Sequence, residues 1–474
     1  MASKITGKTM AKNVSLSIMV QLVSLSVSFI LNFAIPKFVD AYQYSFWQTF
    51  VLYLGYVGVL HFGLLDGIVL RYSQYDFNEL DKSTFRSQFF ILLCTTSIFA
   101  FIGIVYSLIF SYGTVRSIII FVSIGIISKN VFAYNSYLFQ ITNRIKNYAK
   151  IIIVQRLTYG LLVVALLVFR VNKFEFYCIA DIIGDIVGII LSAFSNKGMY
   201  FGKMSAFSQS IAEWKTNVSS GIILMLANWS AILLLGSAKM IVQWHWDELV
   251  FGKVAFSFSV SNLFLTFVTA ISIVLFPALK RMDKYNLPRV YKQIRNAISP
   301  VLLFSLLLYY PGSKLLRIIL PNYTESLTYL GVLLPIIIYT SKVNLLTNNY
   351  LKAYRAEKKM LIVNFASIIV AFSMFYVCAY WLNNLTAVLI CIVFAVALNS
   401  ILSEIIVMKI INVKLFKYFF SEVALTIVFI AATSAFTNLI AFTIYLFALA
   451  VYLFFFRKEI LDVLEDVRIS IIRK

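Results

Sequence analysis

A chain of 474 residues that is 61% hydrophobic and only 13% charged carries about half the charge of a water-soluble protein, which runs near ~25%. With 43 Phe, 28 Tyr, 18 Gly and 7 Pro, it is neither a soluble enzyme nor a disordered or collagen-like chain. The composition is that of an all-α polytopic membrane protein, and the net charge of +21 has to be read from where it lies.

Apolar stretches near the roughly 17–25 residues that a ~30 Å hydrocarbon layer demands of a helix recur fourteen times. The first, 13–36, follows Lys4, Lys8 and Lys12. It is too long for a signal-peptide core and precedes no small-residue cleavage site, so it is expected to be retained. The second, 46–70, carries His61 midway, a candidate cavity ligand or proton acceptor with a hydrogen-bonded packing role as the alternative. Asp66 and Arg71 close that span as an expected ion pair at the inner mouth. After the third span, 88–110, Arg116 stands at the outer edge, as a contact for an anionic sugar or as a helix anchor.

The fourth span, 117–142, contains Lys129, twelve residues from Ser117 and so about 18 Å deep at 1.5 Å per residue. That depth is beyond the reach of a snorkelling lysine. A charge there costs about 2.5–3.5 kcal/mol by insertion scales, so it is expected to face a wet cavity or a partner. Asn130 and Asn135 share the helix. Beyond the fifth span, 149–169, the sixth, 176–195, places Asp181 and Asp185 four apart, on one face. Two unpaired carboxylates would repel, so one is protonated, a cation joins them, or both meet water. The pair is a candidate proton or sodium coupling site.

In the segment 196–216, Met204, Phe207, Ile211 and Trp214 recur at helical spacing, which predicts an amphipathic helix on the inner membrane face. Eight spans follow at 217–241, 250–279, 297–311, 327–349, 360–381, 385–408, 418–435 and 438–456. The ninth is short, but without it every later loop would invert. Lys342 and Asn344 lie in the tenth, Lys342 as a second candidate cavity cation or as a lysine snorkelling to the nearby inner interface. Ile460, Leu464, Val467 and Ile471 form a further stripe in the tail.

Thirty-one of the 41 Lys and Arg fall at the amino terminus and in alternate loops, eight fall in the opposite loops, and Lys129 and Lys342 lie within spans. This bias places both termini in the cytoplasm, and it argues against nucleic acid as the partner. Asn13-Val14-Ser15 opens the first span and Asn217-Val218-Ser219 the seventh, an echo of parallel transporter repeats. The expected organisation is an N-lobe at 1–195, a linker at 196–216, a C-lobe at 217–412 and two extra helices with a tail at 413–474. Cys94, Cys178, Cys378 and Cys391 sit in apolar spans without close spacing, so neither a metal site nor a disulfide framework is expected. No GxxxxGK[ST] loop, GxSxG elbow or HExxH motif is present, and the chain reads as a non-enzyme without a cofactor.

The stretch NVSLSIMVQLVSLSVSFILNFAIPKFVDAYQYSFWQTFVLYLGYVGVLHFGLLDGIVLRYSQ resembles the amino-terminal region of polysaccharide flippases, the Wzx-like family of the MOP superfamily. There a long first helix ends near Ile-Pro, an aromatic turn follows, and the second helix ends in Gly-Leu before Arg-Tyr. NRIKNYAKIIIVQRL and NNYLKAYRAEKKMLIVN resemble the basic turns after that family's fourth and tenth helices. The resemblance implies two six-helix lobes related by a pseudo-two-fold around a central cavity, plus two C-terminal helices. It implies movement of undecaprenyl-diphosphate-linked oligosaccharide across the bacterial cytoplasmic (inner) membrane by alternating access, for O-antigen or capsule, beside a polymerase and glycosyltransferases. Basic cavity residues are then expected to hold the diphosphate. Lys129 and Lys342 occupy suitable spans, but their role is read from this chain alone. A membrane sugar polymerase or glycosyltransferase would be expected to carry a large outer loop. A cation-coupled small-molecule exporter would favour a carboxylate-dominated cavity, and a lipid II flippase stays open as a close relative.

Overall fold

A computed structural model describes residues 7–73, 75–281, 285–413 and 416–462. These are helical almost throughout, and twelve helices are long and apolar enough to cross a membrane. Two bent pairs raise the count to fourteen, which matches the spans read from the sequence. In chain order they are α1 (Gly7–Phe38), α2 (Ala41–His61 with Leu64–Tyr72), α3 (Lys82–Phe110), α4 (Gly113–Ile141), α5 (Ile145–Val168), α6 (Phe174–Ser195) and α7 (Phe207–His245). There follow α8 (Glu248–Arg281), α9 (Leu287–Ile319), α10 (Pro321–Leu333 with Ile336–Ala353), α11 (Glu357–Trp381), α12 (Leu385–Ile411), α13 (Phe416–Ala435) and α14 (Asn438–Phe455). The expected short ninth span is a 33-residue helix. Its polar first turns hid it from a reading by hydropathy.

The chain divides into two compact units, Met1–Ile232 and Leu233–Lys474, with the division inside α7. In the first unit, α3 packs on α4, α5 on α6 and α1, and α4 on α6. In the second, α11 packs on α12, α13 on α14, and α10 against α8, α12 and α13.

Lipid tails are as apolar as leucine, so burial alone does not drive these helices together. Close packing by small residues and polar contacts do. The second half of α2 meets the start of α7 in this way. A Cβ on Gly67 would lie 1.9 Å from the Asn217 carbonyl oxygen, and one on Gly221 would lie 2.1 Å from the Gly63 carbonyl oxygen. Gly63 also supplies a backbone turn at φ +82°, next to Phe62 at +52°. These two left-handed residues break α2 by 56°, because neither continues a right-handed helix. In α10 the break of 48° falls at Leu334–Pro335, where proline removes a backbone donor.

The linker departs from expectation. Residues 196–216 do not form a separate surface helix: the turn Lys197–Tyr200 leads through a non-helical stretch containing Met204 into α7. From Phe207 onward neither Pro nor Gly interrupts the chain before Gly221, so the first three turns and the seventh span form one rod. Trp214 and Val218 pack against the buried cluster of Leu64, Leu65, Ile68, Phe85 and Leu138. Lys4 and the tail positions Leu464, Val467 and Ile471 lie outside the described residues.

Candidate functional site

In the first unit, α4 and α6 run side by side because α6 presents glycine where they and α5 converge. A Cβ at Gly188 would strike the Phe132 ring at 2.5 Å, and one at Gly184 would lie 3.0 Å from the Gln155 carbonyl oxygen. This close approach brings Lys129 onto both carboxylates of α6. Its Nζ lies 2.8 Å from Asp181 Oδ2 and 2.9 Å from Asp185 Oδ2. Ser128 Oγ donates to Asp185 Oδ2 at 2.9 Å, and Gln155 Nε2 donates to Asp185 Oδ1 at 3.1 Å. The side chains of Asp185 and Asp181 are 1% and 9% exposed, while Lys129 keeps 26%. The carboxylates are therefore enclosed, and the lysine side chain is only partly so. Two residue sets read separately from the sequence, a substrate cation and a coupling pair, form one cluster. With both acids ionised it carries one negative charge in excess.

The other expected residues of this unit bind its frame. Asn130 Nδ2 donates to the Val57 carbonyl at 3.0 Å, tying α4 to the kink of α2, and Asn135 Oδ1 accepts from Ser192 on α6 at 2.8 Å. His61 sits at the break of α2 rather than within a straight helix. Its Nδ1 accepts from the Gly63 amide at 3.1 Å, and its Nε2 is 3.9 Å from Asp66 Oδ2. Arg71, expected to pair with Asp66, reaches Glu213 and Asn217 on α7, and Tyr72 also donates to Glu213, at 2.6 Å. Asp66 and Arg71 are five residues apart on one helix, so their side chains diverge by about 140° around it. Arg116 donates to the Ser111 carbonyl at 2.8 Å and stands over the Tyr112 ring. It thus supplies a donor at the carboxyl end of α3, where orphan carbonyls need one.

The second unit holds a sealed ion cluster. Lys342 Nζ lies 2.7 Å from Glu404 Oε2 and 2.6 Å from Glu422 Oε2. Arg295 pairs with Glu404 and, at 3.1 Å, with Glu422 Oε1, which also accepts from Ser299. All four ionic side chains are 0–1% exposed, and the guanidinium carbon stands 4.3 Å over the Tyr418 ring. Two cations and two carboxylates balance to zero. Lys342 was expected on a wet wall, and here its charge is met entirely within the protein. Asn344 lies in a π-helical turn, Val343–Thr347, where its carbonyl accepts from Ser272 at 2.8 Å.

Sequence reasoning passed over Arg295, Glu404 and Glu422. Arg295 had been counted with a basic loop, and the two glutamates interrupt otherwise apolar spans, itself a signal by the cost of a charge there. Lys239, assigned to an outer loop, lies within α7 with its Nζ 4.8 Å over the Phe258 ring, and no carboxylate among the described residues lies within ion-pair distance of it. All four cysteines are free thiols, and α11 and α12 bring the Sγ atoms of Cys378 and Cys391 to 3.5 Å. Among the described residues no group of three or more His, Cys, Asp or Glu is placed to hold a metal ion.

No family model and no curated protein matches the sequence, but solved structures match the fold. A multidrug resistance MATE family transporter of the MOP superfamily, in its inward-facing conformation, superposes with a TM-score of 0.64 at 11% identity, covering 83% of this chain and 98% of that one. The lipid II flippase MurJ, in an inward closed conformation, superposes with a TM-score of 0.64 at 14% identity, covering 94% and 99%. This chain shares its fold with these proteins. An outward-facing MATE transporter aligns as well, with a TM-score of 0.58 at 14% identity over 85% of this chain and 96% of that one. A multi-pass membrane protein thus carries one partly exposed cluster with a negative excess and one buried, balanced cluster.

Proposed function

We propose that this MOP-fold chain is a flippase that carries an undecaprenyl-diphosphate-linked oligosaccharide across the bacterial cytoplasmic membrane by alternating access, for a surface polysaccharide such as O-antigen or capsule. The observation that carries the reading is the fourteen-span architecture. Its likeness to a lipid II flippase runs through nearly the whole chain, further than the likeness to the MATE transporters. The physical task fits. Lipid tails stay in hydrocarbon while an anionic head must cross, and a wet, cationic path removes the cost of taking charge through the bilayer.

Lys239, which stands over the Phe258 ring with no acidic partner among the described residues, is a cation of the second unit with charge to offer an anion. Lys129 is the partly exposed cation of the first unit's ion cluster. The single negative excess of its cluster suits uptake of one proton or sodium ion, which would couple transport to an ion gradient. The termini are cytoplasmic in this reading, and a polymerase and glycosyltransferases work alongside.

A cation-coupled exporter of small molecules is the second reading, favoured by the buried carboxylates Asp181 and Asp185. Reconstitution separates the two. Purified protein in liposomes should speed the exchange between leaflets of a fluorescent undecaprenyl-diphosphate-linked saccharide. Folded protein that leaves this exchange at the lipid-only rate, yet exports a cationic dye, would replace the first reading with the second.

A further inference from the structure

The hairpin of α11 and α12 contains a feature unrelated to transport. Cys378 and Cys391 are free thiols, on different helices, with their sulfurs 3.5 Å apart. Both residues are buried, at 8% and 9% exposure. Neither lies deep along the hairpin. Cys378 is three residues before the end of α11 at Trp381, and Cys391 is six residues into α12 from Leu385. At 1.5 Å per residue they lie about 5–9 Å from the helix ends.

The backbone fixes this approach. Cys378 lies in a π-helical turn, Val377–Trp381, and its carbonyl accepts from the Asn384 amide at 3.0 Å. Asn384 in turn caps α12 through its side chain, which accepts from the Ala387 amide at 3.0 Å. The reversal is therefore folded back onto Cys378 itself, and the two cysteines cannot drift apart without breaking these bonds. Further along the hairpin, Asn399 Nδ2 donates to Asn364 Oδ1 at 3.0 Å and holds the same pair of helices in register.

From this geometry we infer that Cys378 and Cys391 are a dithiol modification site, convertible to an internal disulfide by a disulfide-class oxidant. One thiolate attacks the oxidant R–S–S–R, forming a mixed disulfide and releasing one RS⁻. The second thiol, giving up its proton to that thiolate, displaces the other RS⁻ and closes the S–S bond. Two cysteine S–H bonds are lost, two electrons pass to the oxidant, and two RSH leave. Bonding distance is near 2.05 Å, so the sulfurs need to close about 1.5 Å between them. The charge bias assigns this turn to the outer face, where oxidants of this class persist and the reducing thiol pool does not. The product would staple the outer ends of α11 and α12.

The test uses the full chain in native membranes. After reduction and removal of the reductant, membranes are treated with dipyridyl disulfide. Free thiols are then alkylated in denaturant, and the chain is digested without reduction. A peptide joining Cys378 to Cys391, lighter than its two parts by two hydrogens and split by dithiothreitol, is the expected product. C378S and C391S should each yield a single pyridylthio adduct or a free thiol at the remaining cysteine, and no linked peptide. Wild-type chains in which both cysteines stay free, carry separate adducts, or link to Cys94 or Cys178 would overturn the assignment. The intact mass of C94A/C178A, which leaves only the pair, gives an independent reading. Loss of two hydrogens supports the site, and any other product overturns it.

Discussion

Replacing Lys342 with methionine removes one of two positive charges from a cluster in which nothing else can compensate. Its ammonium touches Glu404 and Glu422 at 2.7 and 2.6 Å, and those side chains are 0% and 1% exposed. The variant leaves Arg295 facing two carboxylates that are shut off from bulk solvent. Removing one partner of a buried ion pair typically costs about 3–5 kcal/mol. For a unit of this size, such a loss corresponds to a fall in melting temperature on the order of 10 °C. Methionine keeps most of the volume, so the loss reports charge rather than a cavity. The assay is fluorescence-detected size exclusion of detergent-extracted protein after heating across a temperature series. K342M should lose its monodisperse peak well below wild type. K342M/E422Q, which restores neutrality, should recover most of the difference, because a balanced cluster is easier to bury than a charged one. A single variant that melts with wild type, or a double variant that melts below the single, would refute this reasoning.

Three further outcomes are expected. K129M and D185N should each lower surface glycan at least tenfold in a deletion strain, at unchanged protein level. Glycan staining of cells expressing each variant checks this, and full output from K129M would remove the ammonium from the transport cycle. G67V puts a side chain where even a Cβ would stand 1.9 Å from the Asn217 carbonyl oxygen. It should separate α2 from α7 and abolish a crosslink between cysteines introduced at Arg71 and Glu213. Asp81, which caps α3, is held below the ordinary aspartate range by hydrogen bonds from the Thr84 and Ser83 side chains and backbone. Because its folded value is the lower one, its stabilisation is present above about pH 4 and fades as pH falls through the folded value. D81A should therefore cost about 1 kcal/mol at neutral pH, and the melting difference from wild type should vanish in strong acid.

The number and order of the spans were legible because the bilayer dictates helix length, and every crossing leaves an apolar run of that length. The kinks were less so. The break in α10 falls at Pro335, which the span reading passed over, and nothing in the sequence marks Phe62 as left-handed. Lys129, Asp181 and Asp185 stood out singly, since a charge in hydrocarbon is conspicuous. That they meet was hidden: the pairing bridges 52 and 56 residues and depends on how far α6 rolls toward α4, which Gly184 and Gly188 set. Arg295 was misplaced for a different reason. It lies on the polar first turns of α9, and hydropathy reads such turns as loop although the folded helix buries them.

The sealed cluster also bears on how the chain is made. Arg295 precedes its partner Glu422 by 127 residues, and Lys342 precedes it by 80. At about 5–20 residues per second, roughly 6–25 s pass between synthesis of the guanidinium and synthesis of that carboxylate. Glu404 follows Arg295 by 109 residues, so until Glu422 is made the two cations have at most one carboxylate between them. The charge balance of the cluster thus depends on α12 and α13, which are made late. A ribosome stalled before α13 would leave an orphaned, positively charged intermediate for the membrane's quality-control proteases to find.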